Sequence, residues 1–476
     1  MEEIQVVSKN TFMVGLREVI LKLTGLLTFP IIARSIGVST LGILGTAQAF
    51  TGILFLVSDL GLNKSLIKEV AQNREEGDVI FSNALVLKTV SLVVAALIGL
   101  LFVIWSGLDE LTRTITILVI ALGLLVGLHD LLKSLFSAYE KMEYLPLIDG
   151  FSKGSIVVAV IVIFVVLKGN IIEFQLCSLF ITLGVLFLSL HLFLKKVHRI
   201  KLTVRIELFP SLLRMSIPFM MVGLFAQTFG AVDSLMLAAM LGRDAVGLYQ
   251  IAYKFVVYCQ LIPATISTAL FPTLSRLFVE DYAKFEYGLK RCFKYLLILS
   301  IPLAMSLYLM AHVIIETIFG RQYMGSVGLL QVLVWTLIFI FMTFPIGISL
   351  GVSGNQKCNV IAVMCGSSAN IIMNYIFIGY WGIYGVAIST ILTASLVFFC
   401  SMYFFRKVFP EISIIEKRIW FPLVAFIVSV GIQYFLALGG LVNFFIFNGL
   451  FLTGVLLFGI IDREDRAILW AILRLG

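Results

Sequence analysis

About fourteen stretches of roughly 20 mostly apolar residues, joined by short polar connections, run the length of this chain. No other feature constrains the fold as tightly. A hydrocarbon core about 30 Å thick takes about 20 apolar residues per helix. A backbone in lipid must satisfy its own hydrogen bonds, so each stretch predicts a helix. The stretches fall near 11–33, 41–60, 81–105, 113–137, 144–167, 171–194, 216–240, 246–270, 291–315, 325–350, 358–379, 382–405, 419–438 and 441–461. The predicted class is all-α, a polytopic membrane protein of about 14 transmembrane helices. Charged residues make up only 13% of the chain, against about 25% in soluble domains. No cleavable signal peptide is read at the start, because the first stretch is too long for one and carries Arg17, Glu18 and Lys22. With every connection short, no extramembrane domain hosts an active site, and an enzyme is not expected.

The net charge of +8 does not point to nucleic acid, because the basic residues lie mostly between helices. The richest connections carry Lys195, Lys196, Arg199, Lys201, Arg205 and Arg214, then Arg276, Lys284, Lys290, Arg291 and Lys294, then Arg406, Lys407, Lys417 and Arg418. The tail adds Arg463, Arg466 and Arg474. In a fourteen-helix count these fall on one side, and the positive-inside rule places both termini in the cytoplasm. The six cysteines lie in or beside apolar stretches with no CxxC spacing, which reads as packing thiols. The four histidines are too scattered for a metal site.

An internal repeat is visible. Ala33, Gly37, Gly42, Ala47 and Phe50 recur as Ala238, Gly242, Gly247, Ala252 and Phe255, at a constant offset of 205 residues. Each copy joins the first helix of a half to its second. An even number of helices per half gives parallel halves, related by an axis along the membrane normal. The expected organisation is an N-terminal lobe (1–205), a C-terminal lobe (206–410) around a central cavity, and two additional helices with a tail (411–476). The lobes would rock to give alternating access.

The run LLRMSIPFMMVGLFAQTFGAVDSLMLAAMLGRDAVGLYQIAYKF (212–255) resembles the start of the second half of polysaccharide flippases, through Pro218, Asp233, Gly242, Gly247-Leu248-Tyr249 and Ala252-Tyr253-Lys254. The stretch IPATISTALFPTLSRLF (262–278), the opening KNTFMVGLREVILKLTGLLTFPIIARSIGVSTLG (9–42) and GIYGVAIST (382–390) are similar to further stretches of that family, with Val386 where an Ala is usual. The family belongs to the multidrug/oligosaccharidyl-lipid/polysaccharide exporter (MOP) superfamily. The resemblance implies two six-helix lobes plus two helices, in the cell (inner, cytoplasmic) membrane. The implied activity moves a polyprenyl-diphosphate-linked oligosaccharide from the cytoplasmic to the outer leaflet. It implies no cofactor beyond a coupling ion, H+ or Na+. The implied partners are the lipid-linked substrate, the bilayer, and glycosyltransferases or a polymerase of the same pathway.

Carrying a diphosphate through hydrocarbon unsolvated is prohibitive, so cations inside helices are the first candidates for a substrate site. Lys22 falls where the lipid II flippase branch carries a basic residue, and Arg17 lies more than a turn toward the cytoplasm. A Glu18–Lys22 pair at i, i+4 is the structural alternative. Lys88 and Lys153 either line the cavity or snorkel to the cytoplasmic face. Lys254 and Asp233 form either a structural ion pair or a phosphate-binding cation with its coupling acid. Asn370 and Asn374 share a helix face, for sugar hydroxyls or for hydrogen bonds between helices. His129, Asp130 and Lys133, like Asp59, read as polar helix ends. The amphipathic segment 61–78 places Leu62, Leu66, Ile67 and Val70 toward the membrane surface and Lys64 and Lys68 toward headgroups, with a counterpart near 272–288. Competing readings are a lipid II flippase and a multidrug/cation antiporter of the same superfamily, and from another class a non-transporting scaffold of a glycan assembly complex.

Overall fold

The structure, a computed structural model, describes residues 2–198, 200–413 and 440–457. The helix expected at 419–438, the end of the fourteenth, and Arg199, Lys417, Arg418, Arg463, Arg466 and Arg474 lie outside the described residues. The described chain is helical and holds no strand. Its helices are α1 (Glu2–Asp59), α2 (Leu62–Gln72), α3 (Gly77–Trp105), α4 (Glu110–Ala138), α5 (Tyr144–Val160), α6 (Ile171–Lys196), α7 (Phe209–Leu241) and α8 (Arg243–Cys259). They continue as α9 (Leu261–Glu280), α10 (Tyr282–Ile314), α11 (Ser326–Leu333), α12 (Thr336–Val352), α13 (Gln356–Trp381), α14 (Ile383–Val408) and α15 (Gly440–Leu457).

Ten helical segments among the described residues are long and apolar enough to cross a bilayer. One of them, Met13–Gln72, holds both the first and the second expected crossings. The expected seventh and fourteenth crossings contain the shorter apolar helices Gly230–Leu241 and Val442–Val455. The chain is therefore an all-α, multi-pass membrane protein.

The two crossings of α1 are separated at Gly37, whose φ of 79° and ψ of 172° are not helical. Glycine takes this conformation without a Cβ penalty. The break releases the carbonyls of Ala33 and Arg34 from their usual i+4 amide partners. The buried Tyr323 hydroxyl donates to the Ala33 carbonyl at 2.7 Å, and Gln322 Nε2 donates to the Arg34 carbonyl at 3.2 Å.

The repeat is written into the backbone. Gly242, offset by 205 from Gly37, has φ 88° and ψ −179°, nearly the same conformation. A Cβ on Gly42 would lie 1.8 Å from the Arg243 carbonyl oxygen, and one on Gly247 would lie 2.1 Å from that of Val38. Val38 and Arg243 are themselves related by the same offset, so each copy inserts its glycine against the other's carbonyl. Gly45 sits against Gln250, its own counterpart. These reciprocal contacts are what a two-fold axis passing between the copies produces.

Packing groups the chain into two units. The first comprises residues 1–251, 318–323 and 367–389, and the second 252–317, 324–366 and 390–476. In the first unit one core gathers Leu66, Val70, Phe81, Leu135, Phe136 and Phe193, and another gathers Ile43, Leu44, Ile115, Val160, Phe164 and Phe174. The second unit has a core built on Phe285, Leu289, Phe293, Met342, Phe405 and Phe447. Helix starts follow local capping chemistry. Asn170 and Glu173 form a reciprocal capping box at α6, and Asp109 caps α4. The Thr112 hydroxyl and amide that bond Asp109 hold its carboxyl below the usual carboxylate range, with exposed Arg243 3.4 Å away.

Two surface expectations change. Leu62, Leu66 and Val70 of α2 are buried, at 1%, 2% and 0% exposure, because α2 packs on α4 and α7 rather than on lipid. Lys64 and Lys68 are exposed, as the pattern suggests. In the second half no separate short helix occupies 272–288. Helix α9 runs to Glu280, and the chain turns once at Asp281, which caps α10.

Between α6 and α7, residues 200–205 are strapped to the start of α3, and a 3-10 turn, Ile206–Leu208, leads into α7. The amide of Lys201 donates to Asp78 Oδ2 at 3.2 Å, that of Thr203 to Ser82 Oγ at 3.0 Å, and that of Arg205 to Asn83 Oδ1 at 2.9 Å. His198 lies 2.9 Å from the other Asp78 oxygen and stacks on Tyr139.

Candidate functional site

The first unit concentrates its intramembrane charge on α1, α3, α4 and α5. Arg17 donates through Nε to Asp149 on α5, a carboxylate that is 4% exposed. The other Asp149 oxygen lies 3.6 Å from Lys133 Nζ, and Lys133 also pairs with Asp130 at 2.8 Å. Lys153, one turn beyond Asp149, is half-buried, and among the described residues no carboxylate lies within 4 Å of its ammonium. The alternative Glu18–Lys22 pair does not form. Glu18 lies instead 3.8 Å from Arg17, its neighbour in sequence, whose planar, many-donor guanidinium serves two carboxylates at once. Lys22 is half-buried with no carboxylate within 4 Å among the described residues.

Lys88 is 2% exposed and donates to Asp59. It does not snorkel, and Asp59, the last residue of α1, is its ion-pair partner. Ser91 Oγ donates to the Ser58 carbonyl at 2.6 Å, tying α3 to the end of α1 beside the pair. His129 is also drawn inward, 3.0 Å from Ser189 Oγ on α6.

A second constellation lies around Asp233, which is 1% exposed on α7. Tyr249 Oη donates to one carboxylate oxygen and Asn374 Nδ2 to the other, each at 2.6 Å. Asn374 Nδ2 also donates to Asn370 Oδ1 at 3.2 Å. Both asparagines are buried, at 1% and 0% exposure, and among the described residues the buried Asn374 Oδ1 accepts no hydrogen bond. Hydrogen bonds to an ionised carboxylate are roughly twice as strong as neutral ones, so three helices are fastened to this acid. An orphaned buried acceptor beside a carboxylate is an arrangement that a proton or a small cation satisfies. Lys254, half-buried on α8, falls in the second unit.

Sequence reading alone missed two residues. Asp149 had a signal, a carboxylate four residues before Lys153 inside an apolar stretch. Tyr249 stood within the family-like GLY step, but nothing in the sequence marked its hydroxyl as the partner of Asp233.

The family model described as "Polysaccharide biosynthesis protein" matches residues 7–278, more than half of the chain, and the MatE model matches residues 218–376. An uncharacterized membrane protein of Methanocaldococcus jannaschii, MJ1068, is 27% identical over 234 residues, covering 48% of this chain and 45% of that protein. The match thus spans about half the length of that relative. The capsular polysaccharide biosynthesis protein CapF of Staphylococcus aureus is 23% identical over 376 residues, covering 76% of this chain and 90% of CapF. Among solved structures, the lipid II flippase MurJ in an inward closed conformation superposes with a TM-score of 0.75 at 18% identity, covering 93% of this chain and 98% of MurJ. An inward-facing multidrug resistance MATE family transporter of the MOP superfamily gives 0.69 at 15% identity, covering 82% of this chain and 96% of the transporter. The two structures carry the fold, and the family match carries the kinship: this chain belongs to the polysaccharide biosynthesis protein family.

Proposed function

We propose that this protein moves a polyprenyl-diphosphate-linked oligosaccharide from the cytoplasmic to the outer leaflet of the cell membrane by alternating access. Lys22 carries the reading. It stands midway along the first crossing read from the sequence, 11–33, roughly 16 Å of helix from either end at about 1.5 Å per residue. An ammonium at that depth with no carboxylate in reach is costly unless it meets water or an anion. A diphosphate headgroup meets that need, and Arg17 on the same helix and Lys153 on α5 extend the cationic path. Lys254 supplies the corresponding charge from the second half. Coupling to an ion gradient runs through Asp233, which takes up a proton or a small cation among Tyr249, Asn370 and Asn374. Both termini face the cytoplasm in this reading.

Lys22→Ala and Lys254→Ala are each expected to insert normally and to lose leaflet transfer of a polyprenyl-diphosphate-linked oligosaccharide in proteoliposomes. Wild-type transfer in both would remove the cationic path. Asp233→Asn is expected to keep the hydrogen-bonded contact while abolishing the gain in transfer from an imposed ion gradient. A gain equal to the wild type's would leave Asp233 as a structural partner. A second reading, a multidrug/cation antiporter, is favoured by the buried Asp233 lying inside the region that matches the MatE model. It predicts gradient-driven efflux of organic cations and no transfer of the lipid.

A further inference from the structure

Asp149 holds an unusual position among the charges of the first unit. Its carboxylate is 4% exposed, yet it is gripped by Arg17 from α1 and Lys133 from α4, with Lys153 one turn away on α5. A guanidinium and an ammonium converging on one oxyanion form the kind of seat that phosphate oxygens fill. Lys133 and Asp149 lie five residues from the facing ends of α4 and α5. That is roughly 8 Å of helix from the connection between them. The seat has an open rim, for the Arg17 and Lys133 side chains are 25% and 16% exposed.

We propose that Asp149 is a resident counter-anion, occupying the seat between Arg17 and Lys133 until the diphosphate of a lipid-borne substrate replaces it. The proposal rests on the lipid-diphosphate reading above and adds the residue that sets how tightly the phosphate is held and how readily it leaves. The charges around the seat are Arg17 and Glu18 from α1, Asp130 and Lys133 from α4, and Asp149 and Lys153 from α5, with His129 of α4 bonded to Ser189. With all six charged they sum to zero, and an incoming diphosphate meets a competing carboxylate. When Asp149 takes a proton from water, the cluster carries one net positive charge and both cations are released toward the ligand. Anion binding is therefore linked to proton uptake, and wherever the free Asp149 carboxylate is ionised it weakens as pH rises. Without its own carboxylate the protein would bind the anion well but release it slowly.

The test is isothermal titration of the purified full chain, in uncharged detergent, with farnesyl diphosphate and with inorganic pyrophosphate across about pH 5.5 to 8. The wild type is expected to bind more weakly as pH rises, relative to Asp149→Asn, which carries only the probe's own titration. At the upper end Asp149→Asn should bind about tenfold more tightly or better, and adding Arg17→Ala should abolish that gain. Asp149→Glu should keep a pH slope with its midpoint moved, and it decides the matter if Asp149→Asn does not fold. Folded Asp149→Asn that binds no more tightly than the wild type, or Asp149→Glu with an unmoved midpoint, overturns the proposal. Tighter binding of farnesyl diphosphate than of pyrophosphate supports a lipid-borne ligand, and the reverse order overturns that assignment. Leaflet transfer is read separately. If the wild type transfers no lipid, the transport reading fails while the binding slopes still decide the role of Asp149.

Discussion

Gly42→Leu and Gly247→Leu are each expected to reach the membrane and to lose most leaflet transfer. At both positions even a Cβ has no room, lying 1.8 Å or 2.1 Å from a backbone oxygen. A carbonyl of a helical turn cannot rotate aside as a flexible side chain does, so the second half of α1 and the α7–α8 turn must separate. Overpacking of this kind costs about 1–3 kcal/mol, and a tenfold change in population takes about 1.4 kcal/mol. The packing seen here should fall by that order. A cysteine at Gln250, which rests against Gly45, reports it directly. In a background lacking the six native cysteines, an impermeant maleimide should label Gln250→Cys faster when either leucine is present. Equal labelling with full transfer would show that the reciprocal glycine contacts are incidental.

Lys88→Ala should give the largest loss of stability among single changes in the first unit. Breaking a buried ion pair by removing one partner costs about 3–5 kcal/mol, because the other charge is left behind. Here the lysine is 2% exposed and the Asp59 side chain 21%. The expected result is a lower melting temperature of the detergent-solubilised protein, with Asp59→Ala similar. The pair Lys88→Met with Asp59→Leu should recover most of the loss, since hydrophobic replacement of both partners is often neutral or stabilising. Transfer by that double variant separates the roles. If it is folded and transports at the wild-type rate, the pair is architectural; if it is folded and inactive, the charges are needed as the helices move.

The helices were legible because hydropathy is a local property, and a 20-residue apolar stretch admits one solution in lipid. The repeat was legible because glycine is required where φ is positive or a backbone approaches closely, and both conditions recur at Gly37 with Gly242 and at Gly42 with Gly247. The candidate cations could be named, but their partners could not. Arg17 and Asp149 are 132 residues apart, and only the packing of α1 on α5 brings them together. The local alternative, Glu18 pairing with Lys22, gave way to a contact of Glu18 with Arg17. The apolar face of α2 was visible, but amphipathicity is the same whether a helix lies on lipid or on protein. Which of the two covers Leu62, Leu66 and Val70 depended on α4 and α7.

The strapped connection ahead of α7 behaves like a toothed rack. Its donors are the amides of Lys201, Thr203 and Arg205, every second residue, and they engage Asp78, Ser82 and Asn83. Because the teeth are backbone groups, the side chains of this segment are free to vary, while its phase is not. An extended chain turns successive amides to opposite sides, so one residue inserted between 201 and 205 would aim part of the row away from α3. The segment thus fixes how much chain lies between its anchors on α3 and the first turn of α7.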